Sequence, residues 1–213
     1  MRTIDMASWP RRKHFEIYHR LTYPHFSLCA AVDVTALYGA CKQRGLSFNI
    51  SATYLLARAA NLLAPFRLRI RGDSVVEHEA VHPSPTVLTD GDLFSFCSIT
   101  YDPSYAAFAA LAAERIAAVK AQIVLEDGPG QDDLLFMTSI PWVSFTSMQH
   151  PVHLNPIDSV PRIAWGKFRF EEGARMMPLA VQVHHALMDG VHVGRYYELA
   201  QELLDHPQEV LDS

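Results

Sequence analysis

Two adjacent histidines, His184 and His185, are followed by an Asp-Gly pair, Asp189 and Gly190, which begins four residues after the second histidine. The ordinary pKa of histidine lies near neutral pH, so its imidazole is the side chain that most often serves as a general base. The apolar run over residues 177–181 predicts a buried strand, and the periodicity after Gly190 predicts a helix. We therefore expect the histidines where a strand passes into a turn, a position that can hold an imidazole in a fixed direction.

The residues alone leave three interpretations of this motif open. Both histidines can be core residues that satisfy their ring nitrogens locally, which is common for histidine. Zinc could bind His185, Asp189 and His192. However, the turn at Gly190 breaks the helical spacing that would align these side chains, so we predict no metal site. In the third interpretation, His185 is a general base that acts on a hydroxyl.

The composition is that of an ordinary globular protein. Of the 213 residues, 49% are hydrophobic and 19% are charged, which predicts one domain over residues 1–213 with a substantial core. The formal net charge is -5 and the sequence has no basic stripe, so we expect no nucleic-acid partner. We also expect no signal peptide and no membrane helix, because no apolar run approaches the roughly 18 residues that a membrane span needs. Three widely spaced cysteines, Cys29, Cys41 and Cys97, are typical of a reducing compartment and predict a cytoplasmic protein.

Hydrophobic periodicity and turn signals divide the chain into helices and strands. Helices are predicted over residues 9–21, 36–43, 51–63, 104–122 and 193–204. Strands are predicted over residues 26–34, 66–70, from 75 onward, 93–100, 134–138, 142–148, 162–170 and 178–184, with turns at Gly72-Asp73 and Glu172-Gly173 and a polar loop over residues 124–133. Helices interspersed among strands of antiparallel character predict an α/β sandwich with a mixed sheet.

Three motifs in the same order resemble the chloramphenicol O-acetyltransferase family, whose His-His-x-x-x-Asp-Gly signature also occurs in the catalytic domains of dihydrolipoamide acyltransferases. The first motif is Trp-x-Arg-Arg-x-His-Phe-Glu-x-Tyr over residues 9–18, the second is Pro-Trp-x-x-Phe over residues 141–145, and the third covers residues 181–193. The resemblance implies a CoA-dependent acyltransferase fold, which is a two-layer α/β sandwich with a mixed, mostly antiparallel sheet. It also implies a homotrimer with active sites between subunits, acetyl-CoA as co-substrate, and chloramphenicol or a similar small hydroxylated molecule as acceptor.

The resemblance assigns four residues to the catalytic set. It implies that His185 is the general base, which removes a proton from the acceptor hydroxyl as that oxygen attacks the thioester carbonyl of acetyl-CoA. It implies that Asp189 pairs with Arg11 and so fixes the turn that orients His185. Thr138 is implied to donate to the developing oxyanion, and Ser139 is the alternative if the alignment shifts by one residue. Without the resemblance, we would interpret Arg11 as part of the solvated basic end of a helix.

The resemblance also implies which residues bind the two substrates. The acceptor pocket is expected to be lined by Tyr18, Phe26, Thr86, Phe94, Met148 and His150. Coenzyme A is expected to contact Trp142, Lys167 and Phe168. From the residues alone, Phe26 and Phe94 could equally be core residues, and Lys167 a surface lysine.

Several acceptor positions depart from the family pattern. Met148 and His150 occupy positions where the family usually has phenylalanine and leucine, and Ala164 replaces a threonine that holds a bound water. The loop over residues 151–158 also differs from the family. Acetyl transfer is therefore better supported than chloramphenicol as the acceptor. The alternatives are an acyltransferase for another xenobiotic alcohol or thiol, and a non-catalytic trimer that binds CoA or a drug.

Overall fold

A computed structural model describes residues 1–126, 128, 130–156 and 158–212. Its helices are α1 (Arg12–Tyr18), α2 (Thr35–Arg44), α3 (Phe48–Leu62), α4 (Tyr105–Ala121), α5 (Gly190–Asp205) and α6 (Gln208–Leu211). Its strands are β1 (Arg2–Thr3), β2 (His25–Asp33), β3 (Leu68–Arg71), β4 (Ser74–Glu77), β5 (His82–Leu88), β6 (Phe94–Phe96), β7 (Leu134–Ile140), β8 (Arg162–Gly166), β9 (Arg169–Glu171) and β10 (Ala174–His184). Asp127 and Pro129 of the predicted polar loop, and Ile157 of the loop that departs from the family, lie outside the described residues.

The strands form two sheets. The larger sheet has the order β2-β10-β8-β7-β5-β6, and β9 also pairs with β10. Strand β10 is antiparallel to β2, β8 and β9, and β5 is antiparallel to β6, whereas β7 is parallel to both β5 and β8. The smaller sheet, β1-β4-β3, is antiparallel. The predicted α/β sandwich with a mixed, mostly antiparallel sheet is confirmed.

One face of the larger sheet packs against the helices. Val181, Ile163 and Met137 lie side by side across β10, β8 and β7, and all three belong to the buried apolar core. Helix α3 contacts α5 and β7, and α5 contacts β2, so the helices cover this face. We call it the core face.

The opposite face, which we call the outer face, carries the alternate row of side chains. Ala180, Ala164 and Thr138 lie side by side there, because successive residues of a strand point to opposite faces. The irregular chain between β7 and β8 covers part of this face. Ser27 on β2 donates a hydrogen bond to the backbone oxygen of Met148 in that segment (2.9 Å).

A buried arginine joins the two sheets. Arg69 on β3 is fully buried, and its guanidinium donates to the backbone oxygens of Phe66, Leu68, Asp132 and Leu134. Leu134 is the first residue of β7, so the contact connects the smaller sheet to the start of a central strand of the larger one. Burial lowers the pKa of Arg69 to about 10, so the side chain stays charged at neutral pH.

The prediction of a strand over residues 142–148 was wrong. The chain turns at Pro141 and Trp142 and leaves the sheet, and Trp142 is 66% exposed. Val143 still accepts a hydrogen bond from the backbone N–H of Lys167 (2.9 Å), but no strand ladder forms. Within this segment, Phe145 packs close to Gly166 of β8 instead of extending the sheet.

Strand β5 was missed by the sequence analysis because it contains Pro83 and Pro85, and proline removes a donor from a strand. The backbone oxygens of Pro83 and Pro85 nevertheless accept hydrogen bonds from the N–H groups of Ile99 (2.9 Å) and Cys97 (3.0 Å), respectively.

The boundaries of other elements also differ from those predicted. The strand predicted over 162–170 is divided into β8 and β9, the strand over 93–100 shortens to β6, the helix over 9–21 shortens to α1, and the helix over 193–204 begins earlier, as α5.

The close approach of the irregular segment to β8 gives a stability prediction. A Cβ atom on Gly166 would lie 2.7 Å from the backbone oxygen of Val143 and 2.9 Å from the ring of Phe145. We expect Gly166→Ala to lower the free energy of unfolding by about 1–3 kcal/mol, measured by urea denaturation, because the backbone must shift to make room. Gly39→Ala in α2 is the matched control, since nothing lies within 4 Å of the added atom. It should stabilise the helix by about 0.5–1 kcal/mol, and equal effects of the two variants would contradict the packing described.

Candidate active site

His184, at the end of β10, is a structural residue of the turn. The side chain is buried, and its Nδ1 accepts a hydrogen bond from the N–H of Ala186 (3.1 Å). Its backbone oxygen accepts from the N–H groups of Leu187 (3.0 Å) and Met188 (3.2 Å). Burial, and then the neighbouring His25, lowers the pKa of His184 to about 3, so the ring stays neutral. The interpretation of the histidines as packed core residues therefore applies to His184.

His185 has a different environment. Its Nδ1 lies 3.1 Å from the backbone oxygen of Met188, and that contact requires the proton on Nδ1. The ring stacks on Tyr18 with centroids 3.9 Å apart and planes 6° from parallel, and it contacts Phe26 at 4.7 Å. Among the described residues, the side-chain hydrogen bond of His185 is made by Nδ1, and Nε2 makes none. The turn thus presents an imidazole whose second nitrogen keeps a free lone pair.

Arg11 fixes the backbone of this turn. Its Nη1 lies 2.6 Å from Oδ2 of Asp189, its Nη2 donates to the oxygen of His185 (2.8 Å), and its Nε donates to the oxygen of Ala186 (3.1 Å). The side chains of Arg11 and Asp189 are 12% and 31% exposed. Burial opposes ionisation of Asp189, but the guanidinium of Arg11 outweighs it and holds the pKa of this carboxyl below its ordinary value. The ion pair that the family resemblance implied is present, and the same guanidinium also bonds to the backbone oxygen of His185.

Thr138 and Ser139, the two candidate oxyanion donors, lie on opposite faces of the sheet. Thr138 is beside Ala164 on the outer face, whereas Ser139 is beside Trp165 on the core face. Neither hydroxyl is near His185 of the same chain. Thr138 lies two strands across from Ala180, and His185 lies five residues beyond Ala180 along the chain. With a rise of about 3.4 Å per residue and about 4.8 Å between neighbouring strands, the Cα atoms of Thr138 and His185 are on the order of 20 Å apart.

A cavity of about 800 Å³ opens on the core side of β7 and β8. The three residues expected to contact coenzyme A, Trp142, Lys167 and Phe168, all line it. Ser139 and a second lysine, Lys120 on α4, line it as well. The cavity is within the volume range of cofactor sites, and it combines apolar and aromatic walls with two cations that suit a phosphate-bearing ligand.

The residues expected to bind the acceptor fall into separate groups within one chain. Tyr18 and Phe26 contact His185, whereas Thr86 lines the large cavity and Phe94 is exposed on the edge strand β6. Phe26 and Thr86 are four strands apart in the sheet, which is a lateral distance of about 19 Å at about 4.8 Å per strand. One chain therefore does not bring these side chains around one small molecule.

Met148 and His150 belong to the segment that covers the outer face near β2 and β10. The N–H of His150 donates to Gln182 (2.7 Å), and burial, followed by the nearby Arg162, lowers the pKa of the His150 ring. Arg162 is itself buried and ion-paired with Asp158. Neither the Asp158–Arg162 pair nor the bond between His150 and Gln182 was predicted from the sequence. The four-residue spacing of Asp158 and Arg162 is a signal only within a helix.

The three residues weighed as zinc ligands have other partners. His185 contacts Met188, and Asp189 lies between Arg11 and His192. Within residues 1–126, 128, 130–156 and 158–212, no group of three or more histidine, cysteine, aspartate or glutamate side chains is placed to hold a metal ion. In that same part of the chain, no helix is both long enough and apolar enough to cross a membrane.

Comparison with known proteins identifies the family. The family model for chloramphenicol acetyltransferase matches residues 1–201. A chloramphenicol acetyltransferase from Bacillus pumilus is 33% identical over 204 residues, which are 95% of this chain and 93% of that protein. A solved chloramphenicol acetyltransferase structure has a TM-score of 0.85 and 25% identity, covering 95% of this chain and 99% of the other. The chain therefore belongs to the chloramphenicol acetyltransferase family.

A more distant structure shares the fold alone. The dihydrolipoamide acetyltransferase of Azotobacter vinelandii has a TM-score of 0.69 and 18% identity, and the match covers 93% of this chain and 88% of that one. The shared histidine signature predicted a relation between chloramphenicol acetyltransferases and dihydrolipoamide acyltransferases, and the two groups share this fold. It adds no information about the acceptor of this chain.

The pair between Arg11 and Asp189 gives a second stability prediction. We expect Arg11→Ala to lower the free energy of unfolding by about 3 kcal/mol at neutral pH, because the substitution leaves a partly buried carboxylate and two carbonyl oxygens without their donor. The depressed pKa of Asp189 means that the pair contributes fully above the ordinary carboxyl pKa and loses its contribution as the pH falls through the folded-state pKa. The difference in the free energy of unfolding between the wild type and Arg11→Ala should therefore become smaller in acid. Urea denaturation at a series of pH values measures it.

The neighbouring arginine is the matched control for that measurement. Arg12 pairs with Glu16 one helical turn away, and both side chains are about half exposed. Arg12→Ala should change the free energy of unfolding by about 0.5 kcal/mol or less. If Arg11→Ala lowered the free energy of unfolding as little as Arg12→Ala, the role given to the Arg11–Asp189 pair would be contradicted.

Proposed function

We propose that this chain transfers the acetyl group of acetyl-CoA to a hydroxyl of chloramphenicol, with His185 as the general base. The observation that carries the proposal is the state of the His185 ring, with Nδ1 bound to the oxygen of Met188 and Nε2 without a partner. The family membership of the chain and its cavity for a large cofactor support the same conclusion. Acetyl-CoA as the co-substrate follows from this proposal.

The geometry of His185 gives the order of the proton transfers. The hydrogen bond to Met188 selects the tautomer in which Nε2 carries the lone pair. Nε2 removes the proton of the acceptor hydroxyl as its oxygen attacks the thioester carbonyl, and the imidazolium then returns a proton to the leaving thiolate of coenzyme A. The stacking on Tyr18 and the bonds from Arg11 to the backbone keep the ring in one orientation during both transfers.

We propose that the working unit is a homotrimer with active sites between subunits. If His185 and Thr138 act on the same carbonyl, they come from different copies, because within one chain they are on the order of 20 Å apart. The separation of Tyr18 and Phe26 from Thr86 and Phe94 supports the same arrangement. In this proposal one copy supplies the base, and the next supplies the oxyanion donor and the cavity.

Coenzyme A would occupy the cavity between α3, α4 and the core face. Trp142 and Phe168 offer flat apolar contact, and Lys167 and Lys120 offer positive charge for phosphate groups. We keep Thr138 as the oxyanion donor because the family resemblance assigns it that role; it lies on the outer face, whereas Ser139 lies on the core face. Ser139 remains the alternative, since it lines the cavity.

A second candidate function is acetyl transfer to a different alcohol or thiol. Met148, His150 and Ala164 depart from the family pattern, and the backbone of His150 is held by the buried side chain of Gln182. These departures at positions expected to face the acceptor favour an acceptor other than chloramphenicol.

We also propose a cytoplasmic location, which the three free cysteines support.

The central prediction concerns the base itself. We expect His185→Ala to reduce acetyl transfer by about 10³- to 10⁴-fold, because the hydroxyl then lacks a positioned proton acceptor. The measurement is thiol release from acetyl-CoA with chloramphenicol and with a panel of other alcohols. His14→Ala, an exposed histidine on α1, is the control and should keep full activity. A His185→Ala protein with wild-type activity would end the proposal, and release with another alcohol but not with chloramphenicol would favour the second candidate.

The division of the site between copies gives a further prediction. Thr138→Val, which removes only the hydroxyl, should lower kcat by about 10²- to 10³-fold. When Thr138→Val and His185→Ala chains are coexpressed in equal amounts, about one quarter of the sites in random trimers receive both intact residues, because each comes from a different copy. The mixture should thus recover about a quarter of the wild-type rate. No recovery would mean that the two residues act within one chain, and loss with Ser139→Ala but not with Thr138→Val would move the donor role to Ser139.

A further inference from the structure

A third histidine of the motif region, His192, is not used by the mechanism. It is the third residue of α5, and its Nδ1 accepts a hydrogen bond from the N–H of Asp189, the residue that precedes the helix (3.1 Å). The same nitrogen lies 2.8 Å from Oδ1 of Asp189. This is the geometry of a capping box, in which a glutamate or glutamine normally occupies the position of His192.

The contact gives Asp189 neighbours on both sides. Oδ1 lies against His192, and Oδ2 lies 2.6 Å from Nη1 of Arg11. The backbone of Asp189 is extended, with φ -137° and ψ -174°, so its N–H lies outside the helix and needs a side-chain acceptor. His192 supplies that acceptor and thereby holds the residue that receives Arg11.

A continuous set of contacts runs from His192 to the imidazole that acts as base. His192 contacts Asp189, Asp189 pairs with Arg11, and Arg11 donates to the backbone oxygen of His185 (2.8 Å). His192 is not among the described residues that line the cavity for coenzyme A. Its side chain is 22% exposed, so it is partly embedded in the turn and is not a free surface group.

We propose that His192 is a positioning residue for the general base. It fixes the start of α5 through the backbone N–H of Asp189, and through the Asp189–Arg11 pair it sets the direction of the His185 ring. The inference rests on the proposed function for its catalytic readout, but the contacts themselves can be tested without it. Because His192 acts on the base and not on the cavity, its loss affects kcat and leaves the KM for acetyl-CoA unchanged.

The kinetic test compares three variants. His192→Ala removes the acceptor, and we expect kcat to fall on the order of 10- to 100-fold, with an unchanged KM for acetyl-CoA. His192→Gln places the usual capping-box side chain at the same position, so it should restore most of the rate. His206→Ala, at the other end of α5, should behave as wild type. A wild-type kcat for His192→Ala, or a His192→Gln protein as slow as His192→Ala, would overturn the proposal.

A spectroscopic test separates this inference from the proposed function. In protein labelled with ¹⁵N at histidine, the ring nitrogens of His185 should report one tautomer in the wild type and in His192→Gln, and a mixture in His192→Ala. That pattern in a protein without acetyl transfer would reject the proposed function and still support the role of His192. One unchanged tautomer in all three proteins would overturn the role of His192, whatever the activity.

Discussion

The guanidinium of Arg11 is the group on which the geometry of the candidate site depends. It uses three different nitrogens for three partners, namely the carboxylate of Asp189 and the backbone oxygens of His185 and Ala186. Residues 11 and 189 are 178 positions apart, so this contact ties the beginning of the chain to the turn that follows the last strand. Such a turn has carbonyl groups that no helix or sheet satisfies, and leaving them unpaired would be costly. The orientation of the imidazole is thus a property of the whole fold and not of a local motif.

Three histidines within nine residues have different chemistry because their surroundings differ. His184 is buried and accepts a backbone N–H, so it stays neutral and serves the turn. His185 keeps one nitrogen without a partner between two aromatic rings. His192 accepts the N–H at the start of a helix. One residue type therefore provides a buried support, a candidate base and a helix cap, as expected for a side chain that can both donate and accept.

Local patterns were enough for much of the fold and for the place of the base. The apolar run before His184 and the periodicity after Gly190 located β10 and α5, and the turn between them followed. The residues alone could not give the Arg11–Asp189 pair, because a contact between such distant positions leaves no periodic signal; the family resemblance supplied it. The strand predicted over residues 142–148 was wrong because an apolar segment can cover a sheet as well as join it. The opposite faces of Thr138 and Ser139 became clear only from the strand register.

Arg69 has a consequence for how the molecule comes apart. Its guanidinium is shared between the smaller sheet and the first residue of β7, and it cannot leave its site without abandoning four carbonyl oxygens at once. Detaching the smaller sheet alone would carry the Arg69 guanidinium away from the backbone oxygens of Asp132 and Leu134 and leave these buried acceptors without a donor, which is costly. The two sheets are therefore expected to melt as one cooperative unit, with no partially unfolded form in which β7 keeps its place and β3 is free.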